Sequence, residues 1–212
     1  MAKHKPQLER RRPPVQSRSR ATVDELLAAA AQVFESHGYA AGTTNRIAQV
    51  AGVSIGTLYQ YFPGKDAIAV ALLERHIVET EERLRDWAAR AATGRWGLRA
   101  TLNGYVTVMM ETHAGRPRLQ HILLEETPLP ARVHQDLLKS ERRAAATVTE
   151  VLHRYPEIRR PHLDQVGFLV VQTVESLTHR FAAHPDEQVM PCDRFLGELV
   201  LMLTAYLVGP AR

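Results

Sequence analysis

The chain carries a single cysteine, Cys192, in 212 residues. That scarcity excludes an intramolecular disulfide and any cluster built on several thiolates, and leaves Cys192 as a small residue near a helix start. Long apolar runs are missing as well: nothing approaches the roughly eighteen residues of a membrane span. The opening MAKHKPQLERRR is basic with no apolar segment behind it, so it does not read as a secretory signal, and a cytoplasmic, membrane-free protein is expected. Ten histidines are present, but none fall in H-x-x-x-H or H-E-x-x-H spacing. His76, His113, His121, His134, His153, His162, His179 and His184 are scattered, so neither a metal site nor a cofactor is expected.

What the chain does hold is apolar bulk and a lopsided charge. It is 45% hydrophobic with a formal net charge of +4, enough to bury a sizeable core in one or two domains. The charge is concentrated at one end. Residues 1–20 contain seven Lys/Arg against one Asp/Glu, residues 21–75 are net acidic by two, and the remainder is balanced. A segment with Arg10, Arg11, Arg12, Pro13, Pro14, Arg18 and Arg20 and almost nothing apolar cannot offset its ordering entropy, so residues 1–20 are predicted to be a disordered basic arm. Such an arm either lies along phosphates or only keeps the chain soluble.

The most informative stretch runs from Thr43 to Lys65, TTNRIAQVAGVSIGTLYQYFPGK. Ile47, Ala48 and Ala51 recur at one-turn spacing, and Gly52 follows where a helix must leave its right-handed path. Val53 plugs the turn, Ser54 can accept from the free N–H groups of a new helix, and Ile55, Leu58 and Phe62 form its apolar side. Two short helices meeting at a glycine turn predict a helix-turn-helix. Gly56, Thr57, Tyr59, Gln60 and Tyr61 are left on the outer face, small or tipped with hydroxyl and amide groups that can approach phosphates and base edges. Thr43 or Thr44 caps the first of the two helices, and Thr44 is a candidate phosphate contact. The recognition helix carries no Arg or Lys, so Arg46 is the candidate for a bidentate guanine contact.

Gly52 to Gly56 also satisfies G-x-S-x-G, the nucleophile elbow of hydrolases, which would make Ser54 catalytic. That elbow needs a strand before the serine. Helical spacing precedes Ser54 here, so it is read as a helix cap and DNA-face residue, and the chain is expected not to be an enzyme.

The run GVSIGTLYQYFPGKDAI, with FESHGYAAGTTNRIA before it, resembles the amino-terminal DNA-binding domain of the TetR (tetracycline-repressor) family of bacterial transcription regulators over residues 22–75. The resemblance implies an all-α fold: a helix-turn-helix domain, residues 21–68, followed by a helical effector-binding and dimerisation domain, residues 69–212. It also implies a phosphate contact at Lys65, a small-molecule effector, and a homodimer on double-stranded DNA.

The rest of the chain predicts helices throughout. The first spans Thr22 to His37, with Leu26, Leu27, Ala30, Val33 and Phe34 inward, a Thr22–Glu25 capping box and Gly38 at its end. A long helix begins at Lys65 after the Pro63-Gly64 turn. Others cover Leu98 to His113, Arg118 to Glu126, Ala131 to Tyr155, His162 to His184 and Asp193 to Val208. The last two are apolar on more than one face, so a second subunit is expected against them, with Val166, Val170, Leu177, Phe181, Phe195, Leu199, Met202 and Tyr206 at the contact. For the effector the candidates pair bulk with a polar tip: Trp96, Tyr105, Met109, His113, Phe168, Gln172 and Glu175.

The sequence thus points to a dimeric, ligand-responsive transcription regulator, a repressor released from a palindromic operator by its effector. An architectural DNA-binding protein with no effector shares most of these features.

Overall fold

The computed structural model describes residues 17–209, with side chains from residue 19. The arm expected over residues 1–20 therefore lies outside the described residues up to residue 16. Among the described residues there is no strand. Nor, among these residues, is any helix long and apolar enough to cross a membrane.

The helices are α1 (Ser17–Ala41), α2 (Thr44–Val50), α3 (Ile55–Tyr61), α4 (Lys65–Ala92), α5 (Leu98–Ala114), α6 (Pro117–His121), α7 (Ala131–Leu152), α8 (Leu163–Ala183) and α9 (Cys192–Val208). A π-helical turn, Ile122–Glu126, extends α6, and a 3₁₀ turn, Pro185–Glu187, precedes α9. Each helix expected from sequence is present, with ends shifted by a few residues. The largest shift is at α1, which begins five positions before the expected Thr22 cap, so residues 17–20 of the expected arm are helical. Gly38 interrupts α1 with φ 74° and ψ 169°, a region open essentially to glycine, and so ends the regular helix where the sequence predicts.

The chain divides into two compact units. The first takes residues up to 76 together with 118–134, the second residues 77–117 and 135 onward. In the first unit Leu26, Leu27, Ala30, Val33 and Phe34 of α1 close on Ile47 of α2, Leu58 of α3, Phe62, and Ile68 and Leu72 of α4. Leu119, Ile122 and Leu123 of α6 and its π turn complete that core. The boundary expected at residue 68 does not anticipate this. Three buried apolar side chains are worth roughly 2 kcal/mol each, and they draw a segment from the middle of the chain into the amino-terminal core.

In the second unit α5 is central, packing on both α8 and α9. Leu102, Tyr105 and Val106 meet Val170 and Val174 of α8 and Leu203 and Leu207 of α9, while Val148, Val151 and Leu152 of α7 close the same core. Trp87 donates its indole N–H to the Thr101 carbonyl at 3.0 Å, and its ring tilts on Tyr105 at 5.1 Å between centroids.

Candidate functional site

The α2–α3 segment is built from local rules. Thr43 caps α2, its hydroxyl accepting from the Arg46 N–H at 3.3 Å. Gly52 takes φ 67°, which a branched residue avoids, and Ser54 caps α3 by accepting from the Thr57 N–H at 3.0 Å. The Ser54 and Thr57 hydroxyls lie 2.8 Å apart, so both are engaged at the start of α3. Ser54 follows a helix and a turn instead of a strand, which removes the hydrolase reading of G-x-S-x-G.

Leu58 anchors α3 with no exposed surface, and Phe62 follows it into the core. Gly56, Tyr59 and Gln60 point outward, while Tyr61 packs part of its ring on the first core and offers less than expected. Ile55, expected to face inward, is instead 38% exposed at the head of α3, and Val50 is 47% exposed at the end of α2. Helical spacing alone places Ile55 on the Leu58 side, but the cap at Ser54 turns the first residue away from the core. The Thr44 hydroxyl meets Tyr59 Oη at 3.2 Å, joining α2 to α3, and Arg46 spends one guanidinium N–H on the Ala41 carbonyl at 2.9 Å.

Lys65 is the candidate whose setting the sequence missed most. Its ammonium donates to the Tyr39 carbonyl at 2.8 Å and the Ala40 carbonyl at 3.2 Å, and sits 4.2 Å from the centre of the Tyr39 ring. Two of its three N–H groups hold the α1–α2 turn. Tyr39 in turn donates its hydroxyl to Asp66. Burial, then the bond to Asp66 and its charge, hold that phenol well above its ordinary value.

In the second unit, Tyr105, Met109 and His113 line one buried face of α5. His113 meets His179 of α8 edge to face, 5.3 Å between ring centres. Glu175 of α8 is half-buried, and burial, followed by the charge of Glu141 on α7, pushes its carboxyl up to about 7. The Tyr105 phenol is also raised, first by burial and then by Glu175. Gln172 donates to Glu141 at 3.2 Å. The structure thus gathers Tyr105, Gln172 and Glu175, and adds Glu141, which lies on an amphipathic helix and gave no sequence signal. Trp96 is half-buried in the loop before α5, its carbonyl accepting from the Tyr155 hydroxyl at 3.2 Å. Phe168 must be withdrawn from the effector set: it is 46% exposed and faces away from the core.

The dimer candidates also divide. Val166, Val170 and Leu199 are buried inside their own unit and cannot meet a partner, because their stripe is the one that packs on α5. Leu177 and Met202 are exposed, and Phe181, Phe195 and Tyr206 are half-buried. Phe168, Leu169 and Leu201 join the outward face, with Leu201 52% exposed. Phe181 stacks on Phe195 at 4.1 Å. A cavity of about 250 Å³ opens beside that pair, lined by Leu177, Val189 and Met190 among others and by none of the effector candidates.

Comparison with known proteins gives two family matches. Residues 26–72 match the family described as bacterial regulatory proteins, tetR family, and residues 97–207 match the tetracyclin repressor-like C-terminal domain. The HTH-type transcriptional activator FasR of Mycolicibacterium smegmatis is 36% identical over 81 residues, 38% of this chain and 37% of that protein. The fatty acid metabolism regulator protein of Bacillus subtilis is 27% identical over 89 residues, 42% of this chain and 46% of that protein. The chain therefore spans less than half the length of these two relatives. Among solved structures, the transcriptional regulator FadR from Bacillus subtilis in complex with stearoyl-CoA superposes with a TM-score of 0.65 at 18% identity, over 89% of this chain and 99% of that one, a likeness of fold. With both halves matched, the chain belongs to the TetR family of bacterial regulatory proteins, a family of DNA-binding transcription regulators.

Proposed function

We propose that the chain is a ligand-responsive transcription regulator that binds a two-fold operator as a homodimer, and that it represses until an effector releases it. The observation that carries this reading is the α2–α3 geometry: a capped recognition helix anchored by Leu58, with Gly56, Tyr59 and Gln60 outward. On this reading α3 enters a major groove, Tyr59 and Gln60 reach phosphates and base edges, and exposed Ile55 suits a thymine methyl. Thr44, Thr57 and the free N–H of Lys65 serve the backbone, and Arg46 keeps donors for a guanine.

Homodimerisation is assigned to the outward faces of α8 and α9, where Leu169, Leu177, Leu201 and Met202 leave an apolar surface that water disfavours. The effector is assigned to the α5–α8 seam around Tyr105 and Glu175. The name of the Bacillus subtilis relative makes a fatty acyl compound the first probe.

Selection of bound sequences from a random duplex pool tests the DNA reading. A palindrome with a large specificity ratio supports it; uniform, salt-dominated binding overturns it in favour of an architectural role. Adding stearoyl-CoA tests the effector class by its rise in melting temperature and its effect on operator affinity. A reporter behind the selected operator reads the sign: expression that rises when the gene is deleted supports repression, and expression that falls makes the protein an activator.

A further inference from the structure

The helix break at Gly38 leaves the Tyr39 N–H without a ladder partner, just where α1 turns toward α2. That N–H donates to Glu126 Oε2 at 3.1 Å, across 87 positions of sequence. The carboxylate sits over the break: a Cβ at Gly38 would lie 3.7 Å from the same oxygen. Glu126 is the last residue of the π-helical turn, whose Ile122 and Leu123 are buried in the first core, and the Thr127 hydroxyl closes that turn by donating to the Ile122 carbonyl at 3.1 Å. The peptide segment on which Glu126 acts is the one that Lys65 also holds, through the Tyr39 and Ala40 carbonyls.

We propose that Glu126 is a positioning residue for DNA reading: its carboxylate holds the Tyr39 N–H at the break in α1 and, together with Lys65, fixes the turn that aims α2 and, through Thr44 and Tyr59, the recognition helix. The inference rests on the DNA-reading role proposed above and adds a determinant that lies outside residues 26–72, the match to the amino-terminal family domain.

The sign of the effect separates this role from simple charge. Removing a carboxylate makes the protein more basic, which by electrostatics alone strengthens DNA binding. Positioning predicts the reverse for Glu126→Leu, which removes the acceptor: operator affinity falls roughly 10-fold, the factor for losing a hydrogen bond to a charged group. Glu126→Gln removes the same charge but keeps an acceptor oxygen at the same reach, so its affinity stays at or above the wild-type value. Both full-length variants are titrated with the selected operator, their melting temperatures recorded, and amide hydrogen exchange followed over residues 38–46. Faster exchange at Tyr39 in Glu126→Leu, with rescue in Glu126→Gln and an unchanged salt slope, is the expected result. Affinity equal to or above wild type in Glu126→Leu overturns the proposal, as does a parallel loss in both variants that tracks melting temperature. If the wild-type protein shows no sequence preference, the proposed function falls, while exchange at Tyr39 still decides whether Glu126 holds the turn.

Discussion

The Tyr59 hydroxyl lies 3.2 Å from Thr44 Oγ1, so the exposed face of the recognition helix is tied to the first turn of the helix before it. Tyr59 is 42% exposed, which leaves part of the side chain open to a partner while the hydroxyl is already engaged.

Tyr59→Ala is expected to weaken operator binding more than any other single change on α3. Tyr59→Phe keeps the ring and loses the hydroxyl with its bond to Thr44, a matter of about 3- to 10-fold. Thr44→Val should cost a similar factor, and the double variant Thr44→Val/Tyr59→Phe less than the product of the two, because the partners share one interaction. Fluorescence anisotropy with a labelled operator measures all three; fully multiplicative effects would separate the residues into independent roles.

Lys65→Ala removes two hydrogen bonds to carbonyls and the contact with the Tyr39 ring. The expected outcome is a loss of stability of about 1–2 kcal/mol, together with weaker binding to every duplex and a salt slope lower by about one. Calorimetry and salt titration read the two effects separately. An unchanged salt slope would leave Lys65 with the clasp alone.

Glu175→Gln tests the half-buried carboxyl. Its folded-state value is raised from the ordinary 4.5 to about 7, by burial first and by Glu141 second. Below the unfolded value both states carry the proton and the carboxyl costs nothing. Between that value and about 7 the unfolded chain ionises while the folded state keeps its proton, so stability is lost across this window and levels off above it. The glutamine variant is therefore expected to match wild type near pH 4.5 and to exceed it at pH 8, by no more than about 3 kcal/mol. Melting curves across that range check it, and parallel curves would count against a burdened carboxyl. Glu141→Gln should shift wild-type behaviour part of the way.

Leu201→Arg and Met202→Glu place charge on the outward face of α9 and are expected to give a folded monomer by sedimentation. Leu199→Ala, two positions from Leu201 but buried, should instead cost about 2–5 kcal/mol of stability with assembly intact once folded. Dimers that survive both charge substitutions would move the contact elsewhere.

The contrast between Leu199 and Leu201 shows where sequence reasoning stops. The helices were legible because their signals are local: Gly52 at positive φ, Ser54 as a cap, Leu58 inward, Pro63-Gly64 before α4. On α8 and α9 the apolar residues run round most of the helix, so periodicity gives two stripes and no means of choosing between them. The choice is made by α5, which covers Val166, Val170 and Leu199 and leaves Phe168, Leu201 and Met202 in water. The DNA face divides the same way. Its caps were legible, but the hold of Lys65 on Tyr39 and of Glu126 on the same residue arises from contacts 26 and 87 positions apart, which no spacing rule reaches.

The contribution of Leu119, Ile122 and Leu123 to the first core bears on how such a protein can be taken apart. A DNA-reading half that ended at residue 76 would open a greasy hollow under α1 and have no cap at Tyr39. Cutting the gene there, or grafting a different sensor after α4, exchanges part of the reader along with the sensor. The two halves of this chain are therefore not interchangeable cassettes: a working hybrid must carry residues 118–134 with the helix-turn-helix they complete.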